Sequence, residues 1–346
     1  MVKTLNDIEW KEIPVARLFE ISGSKTTPKS TLEQIGNGKY PYVTTQTTTN
    51  GQAGYYNVST EKGGVLTVDS AVAGFCTYQA NDFSASDHVE ILTPKFSMNK
   101  YIALFLTVQI NQNNQKKFSY GYKACQDRLR EMSIMLPVNS KDEPDYKFME
   151  DYIKERETKL KNQYKNYIKN TVNELQQKIN EKKSWKDFEL ADIFNIKSGK
   201  RLTKLDMVPG NIPFVSAAAE NNGVTNFIAN KNDSMDKNVL GVNYDGNGGM
   251  VISFYHPYKT IFSDSVKRFH LKNITDNKYI LLFCKISILM QRDKYRYGYK
   301  FNETRMKRQK IMLPVNSKGE PDYQYMEDYM KYLEQKKLLK YLDYIK

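Results

Sequence analysis

Short apolar runs bounded by Gly, Asn and Ser recur in two parts of this chain. VLTVDSAVAGFCTY (65–78) and VLGVNYDGNGGMVISFY (239–255) are two such runs, and each is typical of paired β-strands around a bend that contains glycine. A short helix is predicted after each pair, at 99–110 and 277–290, followed by a polar, basic stretch and a second short helix. IMLPV is predicted as the final strand. The pattern therefore indicates two globular parts that mix strands with helices.

Two other segments contain neither Gly nor Pro and carry apolar residues at helical spacing. At 146–183 and 323–346, apolar residues recur mostly every three, four or seven positions. At about 1.5 Å per residue, the predicted helices are about 57 Å and about 36 Å long. Each follows a Pro-Asp pair, where proline costs no hydrogen bond and the acid meets the positive end of the helix dipole. Because an apolar stripe on a lone helix would be exposed to water, we predict that the two helices pack together as a coiled coil.

The same order of landmarks occurs twice along the chain. IMLPVNS stands at 134–140 and again at 311–317. The other matched pairs are LFEISGSK (18–25) with IFNIKSGK (193–200), FSASDHV (83–89) with IFSDSV (261–266), NKYIALF (99–105) with NKYILLF (277–283), and YGYK at 120–123 with YGYK at 297–300. This repetition predicts a tandem duplication. Its four segments are a first globular domain (1–143), a long central helix (144–184), a second globular domain (185–320) and a C-terminal long helix (321–346).

Composition and charge narrow the class of protein. With 346 residues, of which 40% are hydrophobic and 26% charged, the chain is long enough for two ordinary domains. It contains no apolar run as long as a membrane span and no recognisable signal peptide, so we expect a cytoplasmic protein without membrane contact. The three cysteines (Cys76, Cys125 and Cys284) fit neither a disulfide framework nor a CxxC metal pair. The formal charge of +13 favours a polyanionic partner such as nucleic acid.

The sequence predicts neither a catalytic residue nor a metal site. Asp145 with Glu157 and Lys159, repeated as Asp322 with Glu334 and Lys336, superficially resembles a metal-dependent nuclease. However, the two acids of each set would lie about 18 Å apart on one helix, too far to share a cation. The histidines (His88, His256 and His270) have no second ligand at helical or turn spacing. DGNGG (245–249) precedes a strand rather than a helix, so we expect a hairpin turn and not a dinucleotide loop.

The basic, aromatic stretches at 116–130 and 292–310 are the strongest candidates for a functional surface. Lys and Arg neutralise phosphates, while tyrosines between them can stack on bases. Both copies keep Tyr-Gly-Tyr-Lys although the neighbouring letters diverge. A solvated loop with its tyrosines in the core is the alternative interpretation. The candidates for DNA contact in these stretches are Lys117, Tyr120, Tyr122, Lys123 and Arg128 in the first copy, and Arg292, Lys294, Arg296, Tyr297, Tyr299, Lys300 and Arg305 in the second.

The loops at about 25–62 and 200–237 share little sequence between the copies. TTQTTTNGQ (44–52) stands where the second copy has SAAAENNGV (216–224). Asn and Gln can bond base edges, so two similar frames with different loops would read different bases; ordinary polar turns are the alternative. The candidates for DNA contact in this region are Lys25, Thr45, Gln46, Thr48, Asn50, Lys200, Arg201, Asn221 and Asn222.

Three features together resemble the DNA-specificity (S) subunit of a Type I restriction-modification system. They are W-K-x-x-x-[VL]-x-x-[LI]-F-x-I at 10–21 and 185–196, the run from Gly-Tyr-Lys to IMLPV that ends each globular part, and the long helices. The resemblance covers essentially the whole chain. It implies two target-recognition domains of α/β (α+β) build, joined by two long helices in an antiparallel coiled coil with pseudo-twofold symmetry.

The same resemblance implies a function. Each domain would read one half of a split, asymmetric site in double-stranded DNA, with the halves about one helical turn apart. The helices would dock two methyltransferase subunits, and through them restriction subunits. S-adenosylmethionine would bind to the methyltransferase, so that this chain would hold no cofactor and catalyse nothing. The residues expected to serve partner docking are Ile153, Leu160, Ile168, Leu175, Met330, Leu338 and Leu342.

Two departures from the family pattern leave alternatives open. The second helix is shorter than the first, and the usual ending L-P-P-x-x-E-Q is here L-P-V-N-S-K-x-E-P-D-Y. The recognition subunit of a Type IIB restriction enzyme, whose partner chain combines methyltransferase and nuclease, is a close relative with the same features. A duplicated scaffold that binds only protein is a further alternative, and an enzyme acting on nucleic acid is a fourth.

Overall fold

The computed structural model describes residues 4–246 and 249–345. By compactness, the chain divides into two units, Met1–Gln163 and Tyr164–Lys346. The division point lies inside the long central helix, whereas the sequence predicted a separate helical segment at 144–184. The predicted four-segment division stays a prediction.

The first unit contains two small sheets and one larger sheet. Its strands are β1 (Trp10–Pro14), β2 (Phe19–Gly23), β3 (Asn37–Val43), β4 (Gln52–Tyr56), β5 (Val65–Asp69), β6 (Cys76–Gln79), β7 (Ser84–Ala85), β8 (Val89–Pro94) and β9 (Ser133–Pro137). Its helices are α1 (Val15–Leu18), α2 (Lys29–Ile35), α3 (Lys100–Lys117), α4 (Gln126–Arg130) and the beginning of α5 (Tyr146–Ile179). The sheet orders are β1-β9, β2-β8-β5-β6 and β4-β3-β7.

The second unit repeats this arrangement. Its strands are β10 (Ser184–Glu189), β11 (Phe194–Ser198), β12 (Pro209–Val215), β13 (Val224–Ile228), β14 (Met235–Asp236), β15 (Val239–Asn243), β16 (Ser253–His256), β17 (Thr260–Phe262), β18 (Val266–Leu271) and β19 (Lys310–Val315). Its helices are α6 (Leu190–Ile193), α7 (Lys278–Leu289), α8 (Glu303–Arg308) and α9 (Tyr323–Tyr344). The sheet orders are β10-β19, β11-β18-β15-β16 and β13-β12-β17-β14. The duplication and the mixed α/β content predicted from the sequence are thus confirmed.

The final strand of each copy pairs with the first one. β9 runs antiparallel to β1, with Trp10 opposite Pro137, and β19 runs antiparallel to β10, with Trp185 opposite Pro314. The sequence predicted the IMLPV strands, and the structure adds that their partners are the Trp-Lys segments. Each domain is therefore closed by joining its two ends, immediately before the long helix begins.

A repeated aromatic cluster fixes each long helix to its globular part. Trp10 stacks on Phe105 with ring centroids 6.2 Å apart, and Phe105 meets Tyr152 of α5 edge-on at 6.1 Å. In the second unit Trp185 stacks on Phe283 at 6.2 Å, and Phe283 meets Tyr329 of α9 at 5.8 Å. Such pairs add to the apolar area that the rings bury. The start of each helix is thus part of the hydrophobic core.

The acids of the nuclease-like pattern cap and brace these helices. Asp145 accepts a hydrogen bond from the backbone N–H of Phe148 at 2.9 Å, and Asp322 accepts one from the N–H of Tyr325 at 3.0 Å. Farther along, Glu157 bonds the ammonium of Lys100 and Glu334 bonds that of Lys278, at 3.2 and 2.6 Å. These are helix-capping and ion-pair roles.

Helix α3 is longer than predicted, and α5 is shorter. The predicted end of α3 at residue 110 is wrong, because polar residues on its last turns find partners elsewhere in the first unit. Asn111 donates to the carbonyl of Cys76 at 2.9 Å, and Asn113 donates to that of Ser133 at 2.6 Å. The predicted end of α5 at residue 183 is also wrong, since the helix ends at Ile179 and β10 begins at Ser184.

The predicted strand pairs at 65–78 and 239–255 are confirmed as β5-β6 and β15-β16, both antiparallel. Asn247 and Gly248 of the predicted turn lie outside the described residues, as does Lys346 of the second long helix. No helix among the described residues has the length and apolar character needed to cross a membrane.

Candidate nucleic-acid interface

The Tyr-Gly-Tyr-Lys segment forms a tight turn in both units. Ser119 and Tyr122 exchange backbone hydrogen bonds at 3.1 and 3.0 Å, and Arg296 and Tyr299 do the same at 3.3 and 2.8 Å. The residues at the tip therefore project outward. Tyr120 is 80% exposed and Tyr297 is 93% exposed, which is unusual for aromatic side chains of this size.

An arginine clamps each turn from the following short helix. The guanidinium of Arg128 lies 3.8 Å from the ring centroid of Tyr122, and its Nη1 donates to the carbonyl oxygen of Lys123 at 2.8 Å. Arg305 lies 3.8 Å from the ring of Tyr299 and donates to the carbonyl oxygen of Lys300, also at 2.8 Å. The two copies thus keep the same geometry.

Each clamped tyrosine also stacks on a second ring. Tyr122 stacks on Phe118 with centroids 5.9 Å apart, and Tyr299 stacks on Tyr295 at 6.0 Å. Burial raises the pKa of Tyr295, whose hydroxyl donates to Gln309 at 2.7 Å. Tyr122 and Tyr299 remain 44% and 49% exposed, so the rings of Tyr120 and Tyr297 are the more open aromatic surfaces of the turns.

The two lysines of the turns differ in their surroundings. The ammonium of Lys300 donates to the carboxylate of Asp245 at 2.6 Å. This bond lowers the pKa of Asp245 and raises the pKa of Lys300. The ammonium of Lys123 instead lies 5.8 Å from the ring centroid of Tyr120. Sequence analysis missed Asp245, because it is distant in sequence and lies in a segment that differs between the copies.

The loops at 44–52 and 216–224, which were predicted to read bases and are called the recognition loops below, adopt the same backbone turn in both units. The consecutive φ angles are 52°, 55° and 75° at 49–51, and 51°, 54° and 73° at 221–223. Asn at the middle position and Gly at the last suit this left-handed conformation. The two loops therefore present different side chains on one common backbone turn, although their sequences share little else.

In the first unit, the loop amides are engaged within the protein. Gln46 donates to the carbonyl of Gln52 at 2.7 Å, and Asn50 donates to the carbonyl of Tyr78 at 2.9 Å. Beneath them, the buried amide of Gln79 donates to the carbonyl of Asn50 at 3.1 Å, and also to Thr77 at 3.0 Å. These contacts position the loop from below, and sequence analysis did not identify Gln79.

In the second unit His256 stands where the first unit has Gln79, and the loop is held instead by the buried amide of Asn243, which donates to the carbonyl of Ala218 at 3.0 Å. His256 pairs with Val239 across the β15-β16 ladder, as Gln79 pairs with Val65 across β5-β6. The His256 ring is fully buried against Phe262, and neither nitrogen has a hydrogen-bond partner. Burial lowers its pKa to about 4, so the ring is neutral at pH 7. The two loops thus share a shape but differ in what holds them.

The remaining predicted DNA-contact residues lie on the surface. Thr45 is half-buried, and Thr48, Asn221 and Asn222 are exposed with their loops. Lys200 pairs with Asp233 at 3.6 Å, and Lys294 donates to Gln291 at 2.7 Å. The other predicted basic residues are exposed: Lys25, Lys117, Lys200, Arg201, Arg292 and Lys294 lie outside the clamped turns, and Arg296 lies within the second turn.

A largely half-buried ionic cluster near β18 is another feature that sequence analysis missed. His270 bonds Asp236 at 2.9 Å and Asp276 at 2.7 Å, while Arg268 bonds Asp236 at 3.0 Å. Its members join β14, β18 and the segment before α7, which is a structural role. Within residues 4–246 and 249–345, no group of three His, Cys, Asp or Glu side chains is placed to hold a metal ion.

The predicted docking residues fall into three groups by exposure. Ile168 and Leu175 of α5 are buried, whereas Leu160 is 66% exposed. Ile153 and Met330 pack against the cores of their own units. Leu338 and Leu342 of α9 are half-buried.

Comparisons with known proteins give consistent matches. The family described as Type I restriction modification DNA specificity domain matches twice, over residues 7–170 and 182–342. The chain is 40% identical over 336 residues to the Type II restriction enzyme BgcI specificity subunit S.BcgI of Heyndrickxia coagulans, covering 96% of each chain.

Solved structures are similar at lower identity. The S subunit of a Type-I restriction-modification system from M. genitalium is 16% identical, with 99% of this chain and 95% of that chain covered and a TM-score of 0.39. The HsdS subunit from Thermoanaerobacter tengcongensis is 9% identical, with coverage of 99% and 93% and a TM-score of 0.33. Because these scores are below 0.5, family membership rests on the sequence matches.

Proposed function

Since this chain belongs to the Type I restriction modification DNA specificity domain family, it is a specificity subunit of a restriction-modification system, and we propose that each of its two domains reads one half of a split DNA site. The DNA is double-stranded, and the site is asymmetric because the recognition loops differ in sequence. The clamped turns contact the phosphate backbone, which positions each domain without reading sequence. The loops at 44–52 and 216–224 face the bases.

One observation carries this proposal. The arginine-clamped turn is built twice with equal distances, 3.8 Å from arginine to tyrosine and 2.8 Å from arginine to carbonyl. The loop turn is also repeated in its backbone and keeps its Asn-Gly pair, but the other side chains of the loop are replaced. A constant basic element beside a variable polar element is the arrangement expected when two similar domains bind one polyanion and distinguish different bases.

The long helices are proposed to pack as an antiparallel coiled coil and to dock two methyltransferase subunits. Two contacts within the second unit support the direction. Lys165, in the middle of α5, forms an ion pair with Asp343 at the end of α9, whereas Lys183, just beyond α5, pairs with Asp322 at the start of α9 at 3.1 Å. The helices therefore run in opposite senses. An antiparallel pair would relate the two domains by a pseudo-twofold axis.

Exposed apolar residues are proposed to form part of the docking surface. Leu160 is the most exposed of the predicted docking residues. In this proposal the methyltransferase subunits bind S-adenosylmethionine and supply catalysis, restriction subunits join through them, and this chain contributes recognition only. A Type IIB arrangement, with methyltransferase and nuclease on one partner chain, is compatible with the same findings.

Mapping of methylated adenines tests the function. The chain is co-expressed with a methyltransferase subunit that co-purifies with it, and methylated adenines are mapped with and without this chain. We expect a split motif that disappears on deletion. Replacing residues 44–52 by the sequence of 216–224 should alter one half of the motif and leave the other half unchanged, since the backbone turn is common to both loops.

The control is Lys318→Gln, an exposed change outside both loops and both clamped turns, which should leave the motif intact. Methylation that persists unchanged without this chain would contradict the recognition role and favour a protein-binding scaffold. A loop exchange that changes both halves of the motif equally would contradict the assignment of one half to each domain.

A further inference from the structure

In the second unit, the carboxylate of Asp245 forms an ion pair with the ammonium group of Lys300. The two groups are 2.6 Å apart, and Asp245 is also fixed by accepting a hydrogen bond from the N–H of Gly246 at 2.8 Å. Asp245, Gly246, Met250, Tyr297 and Lys300 line a surface pocket of about 350 Å³. The ion pair is therefore part of a formed surface beside the exposed Tyr297, rather than a contact between two extended side chains.

The first unit lacks this acid although it keeps the rest of the turn. Lys123 and Lys300 leave the backbone from equivalent positions, since an arginine Nη1 donates to each lysine carbonyl at 2.8 Å. Asp245 stands in the connection between β15 and β16, which spans 244–252, whereas β5 and β6 are joined by the shorter segment 70–75. Among the described residues, Lys123 has no ion pair.

Asp69, which directly precedes this shorter connection, cannot neutralise the turn lysine as Asp245 does. Asp69, the last residue of β5, directs its carboxylate at its own turn, accepting from the N–H groups of Ala71 and Val72 at 2.7 and 3.2 Å. The equivalent residue in the second unit is Asn243, the last residue of β15. Within residues 4–246 and 249–345, the pairing of a turn lysine with an acid is therefore found in the second domain and not in the first.

The pair is solvent-exposed, which makes it exchangeable. The side chains of Lys300 and Asp245 are 46% and 32% exposed, and exposed ion pairs contribute little net free energy. A phosphate oxygen can replace the carboxylate at the ammonium. The exchange releases a counterion from DNA, but it also leaves an unpaired carboxylate at the duplex surface, where that carboxylate attracts a cation or repels the backbone.

We propose that Asp245 is a specificity-determining residue that suppresses the backbone affinity of the second domain. It neutralises Lys300 in the free protein and opposes the phosphate contact that Lys123 makes freely in the first domain. The second domain consequently depends more on its recognition loop than the first domain does. This inference rests on the proposed DNA-binding function and assigns an unequal share of the electrostatic binding to its two domains.

The test is the salt dependence of binding to a fluorescent duplex of about 40 base pairs that lacks the recognised site. The full chain is used in the complex in which it purifies. The slope of log affinity against log salt is negative. Lys123→Gln should make it less steep by about 0.9, whereas Lys300→Gln should change it little. Asp245→Asn should make the slope steeper by about 0.9, which corresponds to about fivefold tighter binding at 0.15 M salt.

A double variant and a matched control make the interpretation specific. Asp245→Asn combined with Lys300→Gln should bind as Lys300→Gln does, because the gain requires the lysine. Glu327→Gln removes the same charge from another ion pair, that of Glu327 with Lys331 at 2.6 Å on α9, and should not raise the affinity. Asparagine keeps the oxygen that accepts from Gly246, and thermal unfolding checks that the fold is retained.

The outcomes separate this inference from the function on which it depends. If the wild-type complex binds DNA but Asp245→Asn binds no tighter, the inference is overturned and the function stands. An equal gain in Glu327→Gln would assign the effect to net charge and would also overturn the inference. If the wild-type complex binds no duplex at any salt concentration, both the proposed function and the inference fail.

Discussion

Replacing Arg305 by lysine tests whether the clamp positions the turn or only supplies charge. Lysine keeps the positive charge but lacks the planar guanidinium that lies 3.8 Å from the Tyr299 ring and donates to the carbonyl of Lys300. Arginine and lysine are not interchangeable at such a stacked, hydrogen-bonded site. If the clamp positions the turn, the substitution should weaken DNA binding without removing a phosphate-neutralising charge.

The size of the effect follows from the two contacts that are lost. A cation–π contact at an exposed site is worth about 0.5–1 kcal/mol, and a hydrogen bond of this kind is worth about 1 kcal/mol net. Together they give about 1.5 kcal/mol of anchoring for the turn. If this anchoring must be restored on binding, the affinity falls about tenfold. The salt slope should stay unchanged because the charge is kept.

Fluorescence anisotropy of a labelled duplex across a salt series measures both quantities, and hydrogen exchange of the turn amides reports the loss of anchoring. Arg128→Lys is the matched variant, since its clamp in the first unit has the same two distances. Arg128→Lys should lose at least as much affinity as Arg305→Lys, because Asp245 already neutralises Lys300 in the second turn. Wild-type affinity in Arg305→Lys together with unchanged amide exchange would refute the positioning role.

Three further predictions concern stability and are read from urea unfolding. Burial raises the pKa of the Glu90 carboxyl, whose Oε2 has no hydrogen-bond partner, so the unfolding free energy should fall as pH rises through the folded-state pKa of Glu90. Glu90→Gln should flatten that dependence, and an unaltered pH profile would contradict it. Burial lowers the pKa of His256 from 6.5 to about 4, so stability should fall by about 3 kcal/mol as pH falls across that interval. His256→Leu should abolish this fall in stability. A fall that persists in His256→Leu would show that another group causes it. Asp145→Ala should cost about 1 kcal/mol through the lost helix cap, and Asp322→Ala should cost more because Lys183 also loses its ion pair; equal costs would argue against a contribution from that pair.

The features that sequence analysis predicted correctly are those encoded by local periodicity or by repetition. The long helices at 146–179 and 323–344 follow from uninterrupted apolar spacing. The duplication follows from matched letters, and the β5-β6 and β15-β16 pairs follow from neighbouring apolar runs around a bend. The basic, aromatic stretches were also visible, because a charge-rich segment retained in both copies is a property of the sequence.

The errors and omissions share a different physical origin. The extension of α3 beyond residue 110 depends on Asn111 and Asn113 donating to carbonyls of distant strands, and a polar run alone does not indicate such partners. Gln79 was missed because its role is to bond a loop that precedes it by almost thirty residues. Asp245 was missed because the ion pair joins it to a lysine 55 residues away in the chain.

By itself, the sequence determined that one frame is used twice, that each frame is followed by a long helix, and where the basic turns lie. These properties depend on neighbouring residues and on comparison of the two copies. Only the tertiary structure decided that β9 closes on β1, that Arg128 and Arg305 stack on the clamped tyrosines, and that Lys300 forms an ion pair with Asp245. Such contacts form between residues far apart in the chain, where burial and charge select the partners only after the strands have packed.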